Sequence, residues 1–172
     1  SNQLSIYENR YGYSIYLTGM FMNSYHYTEL FELLKNGPIK DGHFHVDVNI
    51  NSRGGNSAIG IQIANSLNNC EWTVNCNVVG ACDSAATFIA LVGNELHLQD
   101  CTCMYFHNWS QEISASGKEI KLFIENQDRK MSTAFKRFYS PFLTNQELDH
   151  LANDGEIYIH ADDPSLPERI ER

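Results

Sequence analysis

The chain has 172 residues, of which 42% are hydrophobic, and this length and composition suit one globular domain with its own core. Its formal net charge is −9, and this acidic balance argues against a nucleic-acid partner held through the phosphate backbone. No apolar run approaches the ~20 residues of a membrane span, and the N-terminal residues lack the pattern of a secretory signal. We therefore expect one cytoplasmic domain over residues 1–172, with no membrane partner.

In chain order, the hydrophobic periodicity predicts strands that alternate with helices. The predicted strands lie at 13–17, 45–50, 74–79, 96–98, 101–106 and 157–159. The predicted helices lie at 30–34, 59–67, 85–92, about 116–140 and 144–151, and the first of them ends at Gly37-Pro38. Capping boxes, in which a hydroxyl and a carboxylate exchange bonds with backbone amides, open the last two helices at Ser116 and Thr144. The alternation predicts an α/β fold with largely parallel pairing.

Five cysteines occur in the chain, an odd number at irregular spacing, so no disulfide framework is predicted. Cys101 and Cys103 would share one face if both lie on a strand. No further Cys or His pair at metal-site spacing completes the tetrahedral set that zinc requires. We predict buried free thiols and no metal.

The segment Asn51-Ser-Arg-Gly-Gly55 joins a predicted strand to a predicted helix. Adjacent glycines allow positive φ and a close approach of another group, and amides at a helix start can hold an oxyanion. A tight turn without any catalytic role explains the same pattern.

Ser84 follows a strand and precedes a helix of small apolar residues. A serine at this junction can present its Oγ at the helix N-terminus, where developing negative charge is stabilised. An N-cap serine is the alternative interpretation. The segment lacks the Gly-x-Ser-x-Gly elbow of the α/β-hydrolases, so that fold is disfavoured.

His107 closes an apolar strand and is the best placed of the seven histidines to act as a general base. A serine–histidine pair also needs an acid that orients the imidazole. The candidate acids are Asp154, Glu156, Asp162 and Asp163, and periodicity does not choose among them.

Taken together and in order, these segments resemble the Clp proteolytic subunit over roughly residues 13–163. The matching segments are Tyr16-Leu-Thr-Gly19, Ile50-Asn-Ser-Arg-Gly-Gly55, Gly80-Ala-Cys-Asp-Ser84, Tyr105-Phe-His107 and Gly155-Glu156-Ile-Tyr158. The Ser-Ala-Ala and His-Asn motifs are most similar to phage-encoded, head-maturation-type relatives. Three positions depart from the family pattern: Arg53 replaces a proline, Ala85-Ala86 replace Met-Gly, and Glu156 replaces an aspartate.

The resemblance implies a role for each matching residue. Ser84 is the expected nucleophile, His107 the base and Glu156 the orienting acid, with Asp154 in reserve. The remaining expected site residues are the oxyanion donors Gly55 and Ala85 and the substrate-binding residues Gly54 and Asn108.

The resemblance also implies a fold and a mode of action. The expected fold is the superhelical spiral of βαβ units shared with crotonases, with the helix at 116–140 as a handle between rings. The apolar stripe along this handle comprises Ile120, Phe123, Ile124, Met131, Phe135 and Phe138, and a monomer would leave its phenylalanines exposed. The expected function is a serine endopeptidase that cleaves polypeptides without a cofactor, inside heptameric rings or a stacked double ring. An AAA+ unfoldase is a possible partner, although the short N-terminal segment leaves its docking in question.

Two alternatives belong to other functional classes. A crotonase-type acyl-CoA enzyme shares the fold and the amide oxyanion site but needs no serine–histidine pair. A catalytically silent structural or assembly relative would retain the fold alone.

Overall fold

The computed structural model describes residues 3–37 and 44–171, so Pro38, half of the predicted helix stop, lies outside the described residues. The strands are β1 Leu4–Asn9, β2 Gly12–Thr18, β3 His45–Ser52, β4 Thr73–Asp83, β5 Glu95–Leu98, β6 Cys103–His107 and β7 Glu156–His160. The helices are α1 Thr28–Asn36, α2 Ser57–Asn69, α3 Ala85–Ala90, α4 Gly117–Ala134, α5 Asn145–Ala152 and α6 Leu166–Glu171. A 3₁₀ turn precedes α1, and a π-helical turn at Phe135–Tyr139 extends α4.

The strands form one seven-stranded sheet in the order β1-β2-β3-β4-β6-β7, with β5 beside the first half of β4. The pairs that involve β3 or β4 are all parallel, whereas β1 and β7 pair antiparallel at the two edges. The predicted α/β class with largely parallel pairing is confirmed.

Alternation along the central strands decides which face of the sheet is buried. Val46, Val48 and Ile50 of β3 are fully buried, and their neighbours Asp47 and Asn49 lie on the opposite, half-buried face. Helix α2 covers the core and lies close to α3. The glycine at residue 60 allows this approach, since a Cβ atom there would lie 2.8 Å from the Cβ of Ala85. The sheet and these two helices hold the segment around Ser84 between them.

An irregularity in the β3–β4 pairing makes β4 longer than predicted. Between the pairs Ile50–Val78 and Ser52–Cys82, β3 advances two residues while β4 advances four. The Asn51 side chain fills the gap, since its Oδ1 accepts a bond of 2.9 Å from the backbone N–H of Ala81. The prediction that β4 ends near Gly80 is wrong, and the strand continues to Asp83.

Helix α4 differs from the predicted handle in its length and in its covered face. The α-helix ends at Ala134, and Met131, Phe135 and Phe138 are buried in the core of their own chain. The expectation that a monomer would expose these phenylalanines is therefore wrong. Leu122 and Ile124, in the N-terminal half of α4, are 50% and 40% exposed.

Other differences from the sequence predictions lie at the ends of the chain and in one turn. The strand β1 and the helix α6 were not predicted. Cys101 lies in the turn before β6 with φ 65° and is exposed, so it does not share a strand face with Cys103 and is not a buried thiol. All five cysteines are free.

Neither a membrane-spanning helix nor a metal-binding cluster is present in the described part of the chain. No helix there is long and apolar enough to cross a membrane. No cluster of three or more His, Cys, Asp or Glu side chains there could hold a metal ion.

Candidate active site

Ser84 occupies the sharp turn between β4 and α3. Its φ of 57° and ψ of −126° place a residue with a Cβ in a region that such residues seldom adopt. The turn is held from β6, because the Ser84 N–H donates a 2.9 Å bond to the carbonyl of Tyr105. A strained backbone of this kind persists only where its surroundings enforce it, and such strain is concentrated at functional sites, which makes Ser84 a candidate functional residue.

The glycine turn after β3 supports Ser84 from the other side. Gly54 has a φ of 93°, and a Cβ on it would lie 2.7 Å from the carbonyl oxygen of Asp83. The buried Ser52 hydroxyl fixes this turn: it accepts from the Gly54 N–H at 3.1 Å and donates to the Gly19 carbonyl at 2.6 Å. The absence of a side chain at Gly54 therefore allows the two turns to pack against each other at Ser84.

Two backbone amides beside Ser84 are free to bind an anion. Gly55 is fixed by bonds on either side of it, since Phe21 donates to the Gly54 carbonyl and accepts from the Asn56 N–H. Within the described residues, neither the Gly55 N–H nor the Ala85 N–H has a hydrogen-bond acceptor. Both residues line the same cavity as Ser84, so the two predicted oxyanion donors lie together.

His107 lies at the end of β6 and lines this cavity with Ser84. Its ring stacks on that of Tyr105, with 5.0 Å between the ring centroids and an interplanar angle of 20°. Across the described ranges, the His107 side chain makes no hydrogen bond. The imidazole is therefore free to bond both a nucleophile and an orienting acid.

Glu156 is the direct cross-strand partner of His107 in the β6–β7 pair. Its exposed carboxylate accepts a 2.6 Å bond from the Tyr105 hydroxyl, and this bond raises the pKa of Tyr105 above its ordinary value. Tyr105 thus stacks on the His107 ring and also bonds the carboxylate of Glu156, the residue that lies opposite His107 on β7. Sequence reasoning did not identify this link.

None of the other predicted acids is paired with His107 across the β6–β7 ladder. Asp154, with a φ of 62°, accepts a 3.3 Å bond from the Asn108 side chain. Asn108 borders a separate depression beside α4, and not the cavity that holds Ser84. Asp163 caps the start of α6 through bonds to Ser165, and Asp162 does not line the cavity.

Asp83 is an acid at the site that sequence reasoning missed. It pairs with Tyr105 in the parallel β4–β6 register, so its side chain lies on the same sheet face as Tyr105 and His107. Partial burial raises the pKa of the Asp83 carboxyl, and its electrostatic interactions with Arg53 and His107 oppose that rise. A carboxylate directly before the candidate nucleophile was the available signal, but the strand was expected to end before it.

The cavity has a volume of about 570 Å³ and combines the reacting groups with a broad apolar wall. The wall is made by Met20, Phe88, Trp109, Phe123, Met131, Phe135 and Tyr139. Two buried hydroxyls link this wall to the turn at Ser84. The Thr87 hydroxyl donates to the Ser84 carbonyl at 2.6 Å, and the same Thr87 oxygen lies 2.6 Å from the Tyr139 hydroxyl. The arrangement can seat an extended chain with a large side chain beside Ser84.

Comparison with protein families shows which family the chain matches. The family model of the Clp protease matches residues 15–160, which include every residue of the cavity and both candidate acids Asp154 and Glu156. No curated protein matches the chain. A match over most of the chain, on a sheet that brings Ser84, His107 and two free amides together, establishes that the chain belongs to the Clp protease family.

Proposed function

We propose that the chain is a serine endopeptidase that cleaves polypeptides through an acyl-enzyme intermediate. Membership of the Clp protease family implies peptidase activity. The observation that carries the serine mechanism is the strained Ser84 turn, which opens onto one cavity with His107 and two unpaired amides.

Each group would have a defined part in the reaction. His107 removes the proton of Ser84 Oγ as that oxygen attacks the scissile carbonyl carbon, and the Gly55 and Ala85 amides stabilise the resulting oxyanion. His107 then returns the proton to the leaving amine. A water molecule, deprotonated by His107, hydrolyses the acyl-enzyme and regenerates the serine.

Glu156 is the proposed acid that orients His107, with Asp154 as the reserve. Its support is the direct pairing of residues 107 and 156 across the β6–β7 ladder. A glutamate is one methylene longer than the aspartate of the family pattern, and the bond from Tyr105 restrains that extra length.

We further propose that the subunits fold as the family's spiral and assemble into rings that enclose the active sites. Family membership supports this proposal, as well as a partnership with an unfoldase that delivers polypeptide substrates. The similarity to phage-encoded relatives rests on the Ser84-Ala-Ala and His107-Asn motifs alone.

Substitution of the nucleophile tests the mechanism. Ser84→Ala is expected to abolish labelling by a serine-directed fluorophosphonate and to lower peptidase activity by about 10⁴- to 10⁶-fold, because a triad nucleophile acts as a unit with its base. Ser66→Ala is the matched control, since this hydroxyl bonds its own helix carbonyl outside the cavity. Full activity in the folded Ser84 variant would refute the mechanism.

Acyl-CoA turnover that is indifferent to Ser84→Ala would favour a crotonase-type enzyme, and a wild-type assembly that resists labelling would favour a silent relative.

A further inference from the structure

Basic residues are concentrated on α4 and the turn that follows it. Residues 117–139 carry six of the twelve Lys and Arg residues of the chain but only three of its 21 Asp and Glu residues. This segment is therefore +3, while the rest of the chain, with six basic and 18 acidic residues, is −12. Positive charge on this otherwise acidic protein is therefore concentrated on α4 and the turn that follows it.

Three of these cations line a groove of about 460 Å³ between α2 and α4. Arg129, Lys130 and Arg137 are all exposed, and no Asp or Glu belongs to the groove. In the described part of the chain none of the three forms an ion pair. Their charges are thus available to a group from outside the subunit.

Lys130 connects this groove to the active-site cavity, because it lines both. The cavity contains one further cation, Arg53, and again no Asp or Glu. Arg53 already lies in the field of the neighbouring Asp83, whereas Asp128 of α4 lies beyond the cavity and accepts a 2.8 Å bond from the Trp109 indole. An extended chain bound at Ser84 therefore meets positive charge in the direction of Lys130.

We propose that this cationic groove selects polypeptide substrates that carry Asp or Glu within a few residues of the scissile bond. Lys130 would contact a carboxylate near the cavity, and Arg129 and Arg137 would contact carboxylates farther along the groove, at the ~3.3 Å per residue of an extended chain. This inference rests on the proposed peptidase function. Charge complementarity is its basis, since a basic substrate segment would meet like charge at the same surface.

Matched fluorogenic peptides test the selectivity. Each pair has an identical apolar residue at the scissile bond and differs only by Glu or Gln at one flanking position, scanned over three residues on each side. Glu is expected to raise kcat/KM about twofold to fivefold at the positions that reach the groove, as for an exposed ion pair. The ratio should approach one near 1 M salt, because the screening length there is only about 3 Å.

Two triple variants that remove the same charge show whether the selectivity for Glu depends on the groove. Arg129→Gln/Lys130→Gln/Arg137→Gln is expected to bring the Glu-to-Gln ratio close to one. Lys118→Gln/Lys121→Gln/Lys136→Gln removes the same charge from the same segment at residues that line neither the groove nor the cavity, and should keep the wild-type ratio.

The outcomes separate this inference from the peptidase proposal. A wild type that is labelled at Ser84 but cleaves Glu and Gln peptides equally would overturn the selectivity alone. Absence of labelling at Ser84 would overturn the peptidase proposal and this inference with it. If the groove variant keeps the ratio but changes the mass by light scattering, then the groove holds the acidic surface of a second copy, and the selectivity is refuted.

Discussion

A Cβ atom on Gly54 would lie 2.9 Å from the Cβ of Ser84, closer than two such atoms approach in folded proteins. The φ of 93° at Gly54 also disfavours any side chain there. The glycine turn after β3 and the strained serine after β4 therefore fit together only because residue 54 lacks a side chain. Substrate binding stays a prediction for Gly54, and its position against Ser84 also gives it a structural part in shaping the turn at Ser84.

Gly54→Ala is expected to destabilise the fold by about 1–3 kcal/mol, from backbone strain and overpacking, and to lower kcat at least about 100-fold by displacing Ser84. Thermal unfolding and single-turnover acylation measure the two effects. Gly117→Ala is the control, because nothing lies within 4 Å of the added carbon there, and it should match the wild type in both. A Gly54→Ala enzyme with wild-type acylation would show that the close approach does not position the nucleophile.

Glu156→Gln is expected to lower kcat by about 10³- to 10⁴-fold without loss of folding, since an amide cannot stabilise the imidazolium form of His107. Asp154→Asn should cost less than tenfold, because Asp154 is not the cross-strand partner of His107 and its carboxylate is bonded to Asn108. The measurement is kcat for a peptide substrate, with circular dichroism to verify the fold. The opposite order of effects would transfer the orienting role to Asp154.

Tyr105→Phe separates the position of Glu156 from its charge. The variant removes the 2.6 Å bond to the carboxylate but retains the ring under His107. If Tyr105 restrains Glu156 toward the imidazole, the kcat of Tyr105→Phe should fall about tenfold. The double variant Tyr105→Phe/Glu156→Gln should then have the same kcat as Glu156→Gln alone. Strictly multiplicative effects in this double-mutant cycle would show that the two residues act independently.

That Ser84 and His107 line one cavity could be predicted, because both lie at the ends of strands with a regular alternation, and the order of the motifs distinguishes this family from chance matches. Asp83 could not, because the extension of β4 beyond Gly80 depends on the Asn51 side chain of the neighbouring strand. Periodicity along α4 likewise showed that Phe135 and Phe138 share a face with Ile120 and Phe123. It could not show that the subunit's own core buries one end of that face and leaves the other end half-buried.

Asp83→Asn is expected to raise thermal stability at pH 7. Burial raises the pKa of this carboxyl, so the folded state binds its proton more tightly than the unfolded state does. Stability is then lost as pH rises from the unfolded value near 3.8 through the folded pKa, and an asparagine escapes that loss. The gain in melting temperature over the wild type should therefore shrink as pH falls from 7 toward 4. Asp100→Asn, in an exposed turn, is the control, and a lower melting temperature of Asp83→Asn at pH 7 would contradict the argument.

Leu122 and Ile124 are the apolar side chains that α4 leaves exposed, since Met131, Phe135 and Phe138 are covered within the subunit. If the N-terminal half of α4 joins subunits, Leu122→Glu/Ile124→Glu should dissociate the assembly, because a buried contact would gain two unpaired charges. Activity per chain should fall with it, since Trp109 and Phe123 of the cavity wall contact each other next to this segment. Ile170→Glu, a similarly exposed position on α6, is the control for added charge. Light scattering and peptidase rate, followed on dilution to nanomolar chain, measure mass and activity together. A wild-type monomer with full activity per chain would refute coupled assembly.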